Sequence, residues 1–163
     1  MWRALQTARS VEKTLGLRPH VWTDIHEEGG IYLDCADGLG RVGYPGKTRQ
    51  EIESVYPSYV LPDDITEYGW WNRGFEEKDA FHARAGRVAA KLREWAPSEE
   101  RIALITHGGF TDALLKALFD DLPNPHVFYH HHNTAITRVN LVDGYIDVQY
   151  INRVDHLPPD IVS

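Results

Sequence analysis

Ile102-Ala103-Leu104-Ile105-Thr106-His107-Gly108-Gly109-Phe110 is the stretch that decides the fold. An apolar run delivers one histidine to a glycine pair, and a helical pattern begins at once behind it. A buried strand that ends where a helix N-terminus starts is a favoured anion site in an α/β domain. The free N–H groups and the positive dipole end of such a helix attract the anion, and glycines such as Gly108 let it come close. The run predicts a buried strand over Arg101–Thr106 and a helix over Phe110–Phe119, with His107 as an anion-contacting residue.

Around this stretch the chain has the means of one soluble domain. Its 163 residues are enough to bury a core, and 42% hydrophobic with 25% charged content is ordinary for a globular protein. We read residues 1–163 as a single domain. A net charge of −7 and no basic run argue against nucleic-acid or membrane-surface partners. One cysteine, Cys35, excludes an internal disulfide and suits a reducing cytoplasm. No apolar stretch reaches spanning length, and Met1-Trp2-Arg3 does not open a signal peptide.

Along the chain, Arg3–Leu15 has helical apolar spacing with Gly16 as a stop, and Met1 falls just before the first turn. Val21–Ile25 reads as a short extended run leading to Glu27-Glu28 and Gly29-Gly30. From Asp34 to Gly74 the residues predict loops with one short helix at Gln50–Val55, a long irregular stretch of the kind used for lids and binding loops. Glu76–Trp95 is the clearest helix, its stripe of Phe81, Ala85, Val88, Ala89, Leu92 and Trp95 ended by Pro97. Thr134–Val142 and Tyr145–Ile151 flank Asp143-Gly144, a strong hairpin signal. Alternation of strand and helix patterns predicts an α/β fold: a three-layer α/β/α sandwich with a mainly parallel sheet and an antiparallel hairpin near the C-terminus.

Three further residues are candidates for chemistry. Arg3 sits in a first helical turn, where a cation opposes the macrodipole; a bound phosphate sharing that end would explain it, since guanidinium offers bidentate donors. Glu27 and Glu28 stand in a loop, and a carboxyl group of raised pKa can protonate a departing alkoxide. Three other signals are set aside. Gly38-Leu39-Gly40-Arg41-Val42-Gly43 has dinucleotide spacing, but Pro45 and Gly46 deny it a helix. Gly46-Lys47-Thr48 ends like a P-loop with Arg41 where its first glycine belongs. His130-His131-His132 are consecutive, so their side chains diverge and no metal is expected. Tyr68, Trp70 and Trp71 fit packing of the long loop, with substrate lining as the other reading.

Arg3-Ala4-Leu5-Gln6-Thr7-Ala8 and Thr106-His107-Gly108-Gly109-Phe110 together resemble the histidine phosphatase (phosphoglycerate mutase-like) superfamily. The likeness runs from Arg3 to Asn152-Arg153, specific at these two segments and loose between them. It implies that His107 hydrogen-bonds the transferred phosphoryl group, that Arg3 and Gly108 help bind it, and that Glu27, in Ile25-His26-Glu27 before glycine, is the acid rather than Glu28. It implies no metal and no organic cofactor. The family's attacking histidine lies in an Arg-His-Gly segment on its first, central strand. Of the nine histidines here, only His107 precedes a glycine, so that segment has no counterpart. We expect a misassigned start before a strand-donating separate chain or a true loss, because the other family residues look intact. The expected activity is a phosphomonoesterase on a small phosphorylated substrate, working in a longer or complemented form. A catalytically inactive phosphate-ligand-binding pseudoenzyme and a phosphoglycerate mutase are the alternatives, and homo-oligomers stay open.

Overall fold

The computed structural model describes residues 2–35, 40–142 and 144–163. Met1, the Gly38-Leu39 part of the glycine-patterned loop and Asp143 of the hairpin turn lie outside the described residues. The backbone falls into two compact units: residues up to Phe81 with Leu104–Thr106, and His82–Ala103 with His107–Ser163.

In the first unit, α1 (Trp2–Leu15) forms as its apolar spacing predicts. Gly16, at φ 67, stops it and donates its N–H to the Glu12 carbonyl at 2.8 Å. Leu5 of α1 is buried with Ile52, Tyr56, Tyr59, Ile65, Trp70 and Trp71, which form the core of this unit. The extended run expected at Val21–Ile25 is corrected: Thr23–Ile25 is a 3-10 turn. Local bonds replace a ladder here: the Ile25 amide donates to the Trp22 carbonyl and the His26 amide to the Thr23 carbonyl, each at 3.3 Å, while the Thr23 hydroxyl donates to Asp64.

The stretch expected as loops contains a hairpin. β1 (Tyr32–Cys35) pairs antiparallel with β2 (Gly40–Gly43), with Leu33 opposite Val42 and Asp34 opposite Arg41. Helix α2 (Arg49–Val55) begins one residue before its expected start. A capping box fixes that start: the Glu51 amide donates to the Thr48 hydroxyl, and the Thr48 amide donates to the Glu51 carboxylate. Lys47, then the Thr48 amide, hold the Glu51 carboxyl below its usual range. Arg49 ties the following loop to this helix by donating to the carbonyls of Ile65 and Pro62 while pairing with Glu53 at 3.2 Å. This cross-linking explains how a long irregular stretch stays packed.

Helix α3 (Lys78–Trp95) starts two residues after the expected position. Phe81, Ala85, Val88 and Ala89 of its stripe are buried, whereas Trp95 is exposed. The buried strand expected at Arg101–Thr106 does not form. Among the described residues this segment has no ladder partner, and Arg101, Ile102 and Ala103 are exposed. An apolar run favours extended backbone, but a ladder also needs a neighbouring backbone to bond.

In the second unit, α4 (Gly108–Leu118) is buried on nearly every side. It carries a buried ion pair, Lys116 Nζ to Asp112 Oδ2 at 2.7 Å, while the other Asp112 oxygen accepts the Tyr129 amide at 2.8 Å. Arg93 donates to the Leu118 carbonyl at 2.7 Å and so covers the helix end. β3 (Ile136–Val142) and β4 (Tyr145–Arg153) make the expected antiparallel hairpin, with Val142 opposite Tyr145. β3 starts two residues late because Thr134 takes φ 59, which is not strand backbone.

The fold is therefore α/β, but the described strands pair as two antiparallel two-stranded sheets. The mainly parallel three-layer sandwich is not what these strands form; the only parallel pairing among the described residues is an isolated bridge between His20 and Val60. No described helix is long and apolar enough to cross a membrane.

Candidate functional site

His107 stands at the N-cap of α4 with extended backbone, φ −126 and ψ 157. Its ring is buried, and its carbonyl accepts both the amide and the hydroxyl of Thr111 at 2.8 Å. The first turn of α4 holds no acidic residue. Gly108 opens the helix, and a Cβ there would meet nothing within 4 Å. First-turn amides have no partner within their own helix. A buried imidazole and a helix N-terminus whose first residue has open space where a side chain would stand can hold an anion through donors and dipole together. The expected strand–histidine–glycine order thus survives with the histidine and helix in place and the strand absent. The His130–His132 run does structural work in the same unit: His131 Nδ1 donates to the Tyr129 carbonyl at 2.9 Å, and Nε2 sits 2.6 Å from the Thr137 hydroxyl.

Glu27 belongs to the first unit, in the turn after Thr23–Ile25. It is partly buried while Glu28 is exposed, and its carboxylate accepts the Glu28 amide at 3.0 Å. The Gly30 amide reaches the Glu27 carbonyl at 3.4 Å. Gly29 and Gly30 take φ 81 and 76, backbone that suits glycine. They are also needed for space: a Cβ on Gly29 would lie 2.6 Å from the Tyr32 ring and 2.7 Å from Phe75, and one on Gly30 would run into Trp71.

Sequence reasoning missed the neighbour of Glu27. His26 is buried at 4% exposure, its Nδ1 donating to the Thr23 carbonyl at 2.6 Å and its Nε2 lying 3.6 Å from Glu76 Oε2. Trp70 and Trp71 meet the imidazole edge-on, with ring centres 5.2 and 4.7 Å away. Glu76 also donates its amide to the Gly29 carbonyl at 3.1 Å. The Glu27 loop is thereby clamped on both sides. Trp70 and Trp71 are buried and follow the packing reading, whereas Tyr68 is exposed.

Arg3 occupies the first turn of α1 and is exposed, in a turn without an acidic residue. Its carbonyl accepts the Thr7 hydroxyl at 3.1 Å. Arg3 and Glu27 lie in the first unit, His107 and Gly108 in the second.

A sequence model of the histidine phosphatase superfamily (branch 1) matches residues 1–154. The chain belongs to that superfamily. The match spans both units and all four residues singled out above. Histidine phosphatase membership carries an α/β fold and a phosphatase- or mutase-like function in general. No curated protein and no solved structure matches the chain.

Proposed function

We propose that these residues are the phosphate-binding and proton-donating part of a phosphomonoester hydrolase that works through a phosphohistidine, in a longer or complemented form that brings an Arg-His-Gly segment. The observation that carries the reading is His107, a buried imidazole at the N-cap of α4 beside a Gly108 with open space. Arg3, His107 and the Gly108 amide donate to the phosphoryl oxygens, where charge spreads in the transition state. The nitrogen of the supplied histidine attacks phosphorus and the bond to the ester oxygen breaks. Glu27 gives its proton to the departing alkoxide. Water then attacks the phosphohistidine, its proton passes to the Glu27 carboxylate, and inorganic phosphate leaves.

The same reading takes Arg101–Thr106 as a strand of a mainly parallel three-layer sandwich when a neighbouring strand is supplied. It takes a small phosphorylated molecule as substrate and, with a single cysteine and an acidic balance, the cytoplasm as its place. Supplying the strand from a separate chain would be strand addition. The clamped Glu27 loop favours a hydrolase over a pseudoenzyme, because holding a proton donor in place serves turnover rather than binding.

The test compares phenyl phosphate hydrolysis by the 163-residue chain with and without an added Arg-His-Gly strand segment, alongside calorimetric binding of inorganic phosphate. We expect phosphate to bind, less tightly after Arg3→Ala or His107→Ala, and turnover only with the segment. Robust turnover by the chain alone would overturn the phosphohistidine assignment. Phosphate binding without turnover under either condition selects the pseudoenzyme.

A further inference from the structure

The β1–β2 hairpin has two different faces. Directly opposed residues in an antiparallel pair share a face, so Tyr32, Gly43, Asp34 and Arg41 lie on one side, with Leu33 and Val42 on the other. On the first face the Arg41 guanidinium carbon lies 4.3 Å from the ring centre of Phe75 and 5.7 Å from that of Tyr32. Those two rings meet edge to face at 4.7 Å. Gly43 on this face leaves the room that the Arg73 carbonyl and Gly74 occupy, so the Arg73–Gly74 backbone runs against it. Arg73 in turn lays its guanidinium over Trp71, 4.7 Å from the ring centre.

Two guanidinium groups are thus held by aromatic faces, Arg41 over Phe75 and Arg73 over Trp71. Among the described residues, Arg73 has no carboxylate within ion-pair distance. Arg41 reaches Asp34 at 3.6 Å, but both side chains are half exposed or more, and such pairs hold little energy. Stacking uses the flat face of guanidinium; its N–H donors lie in the plane and stay directed outward, toward carboxylate or phosphate. The shelf is built on the acid's own loop, for Tyr32 and Phe75 rest on Gly29 and Trp71 rests on Gly30.

We infer that Arg41 and Arg73 form a leaving-group subsite beside Glu27, selecting phosphate esters of planar alcohols that carry an acid group on their edge. This rests on the phosphoester reading. The guanidinium planes and the rings beneath them offer flat stacking surface, and the in-plane donors take the acid group. The chain's net charge of −7 opposes an additional negative charge on the ligand, so a preference for one reports these local cations.

The experiment is calorimetric titration of the full chain with phenyl phosphate and with 4-carboxyphenyl phosphate, which differ only in the edge carboxylate. The carboxylated ester should bind about tenfold more tightly, the scale of one charge-assisted pair. Arg73→Leu, at an exposed position where the fold is not at stake, should bring the ratio close to one, and Arg41→Gln should lower it as well. Equal affinities on the unaltered chain, or a ratio that survives both substitutions, would overturn the subsite and leave the phosphate reading standing. Binding of neither ester by a chain whose circular dichroism shows it folded would overturn the phosphoester reading and this subsite with it.

Discussion

Glu27 follows a side chain with almost no freedom: His26 is bonded at one nitrogen, faced by a buried carboxylate at the other and packed edge-on against two neighbouring indoles. Its chemistry can be separated from its packing. In a form carrying the Arg-His-Gly segment, Glu27→Gln should slow alkyl phosphates far more than nitrophenyl phosphate, whose leaving group needs little protonation. Equal losses on the two esters would remove Glu27 from the acid role. His107→Ala should reduce kcat by about 10²–10³-fold on either ester, as for one donor lost from a preorganised oxyanion site. Gly30→Ala tests the loop itself: a positive φ and the Trp71 ring both oppose a methyl group, so urea unfolding should report a loss of about 2–4 kcal/mol. Arg3, Glu27, His107 and Gly108 could be singled out as candidates in the sequence because they stand in short motifs. The surroundings of His26 and Arg41 could not be read there, since they depend on Trp70, Trp71 and Phe75, tens of residues away in sequence.

At the scale of elements, local rules and long-range pairing part company. The capping box of α2 is a local device, and Thr48→Ala should lower stability by about 1 kcal/mol in a denaturant titration with the slope unchanged. The helices were readable for the same reason: 3.6-residue spacing, Gly16 and Pro97 act within one or two turns. The β3–β4 hairpin was readable from its two-residue turn. The β1–β2 hairpin was hidden because its four-residue strands, one bounded by glycines at both ends, carry too short a pattern to distinguish from loop. Arg101–Thr106 failed in the opposite way: its pattern is strong, but nothing described in the chain pairs with it. Hydrogen exchange should show this directly, with amides of Ile102–Ile105 exchanging much faster than those of Leu114–Leu118. Comparable protection in the two segments would contradict the absence of a ladder.

For the molecule as a whole, one buried tyrosine sets an alkaline limit. Tyr59 donates its hydroxyl to the Leu5 carbonyl at 2.8 Å, and burial, followed by the charge of Glu12, pushes its pKa up to about 12. The neutral phenol is thus favoured in the folded chain beyond the ordinary value of about 10. Its contribution is whole below pH ~10 and is lost as pH rises through about 12. The urea midpoint should therefore fall over this interval, and Tyr59→Phe should flatten the fall; an unchanged slope would remove Tyr59 as its source. A different consequence follows from the neck of the β1–β2 hairpin, where the Tyr44 amide donates to the Ile31 carbonyl at 2.8 Å. The chain leaves and re-enters the rest of its unit at a single point. A segment tethered in this way can be exchanged like a cartridge, because doubling a loop's length adds only about 0.6 kcal/mol of closure entropy. Evolution, or an engineer, can therefore replace twelve residues, Tyr32 through Gly43, while the helices of the unit keep their sequence.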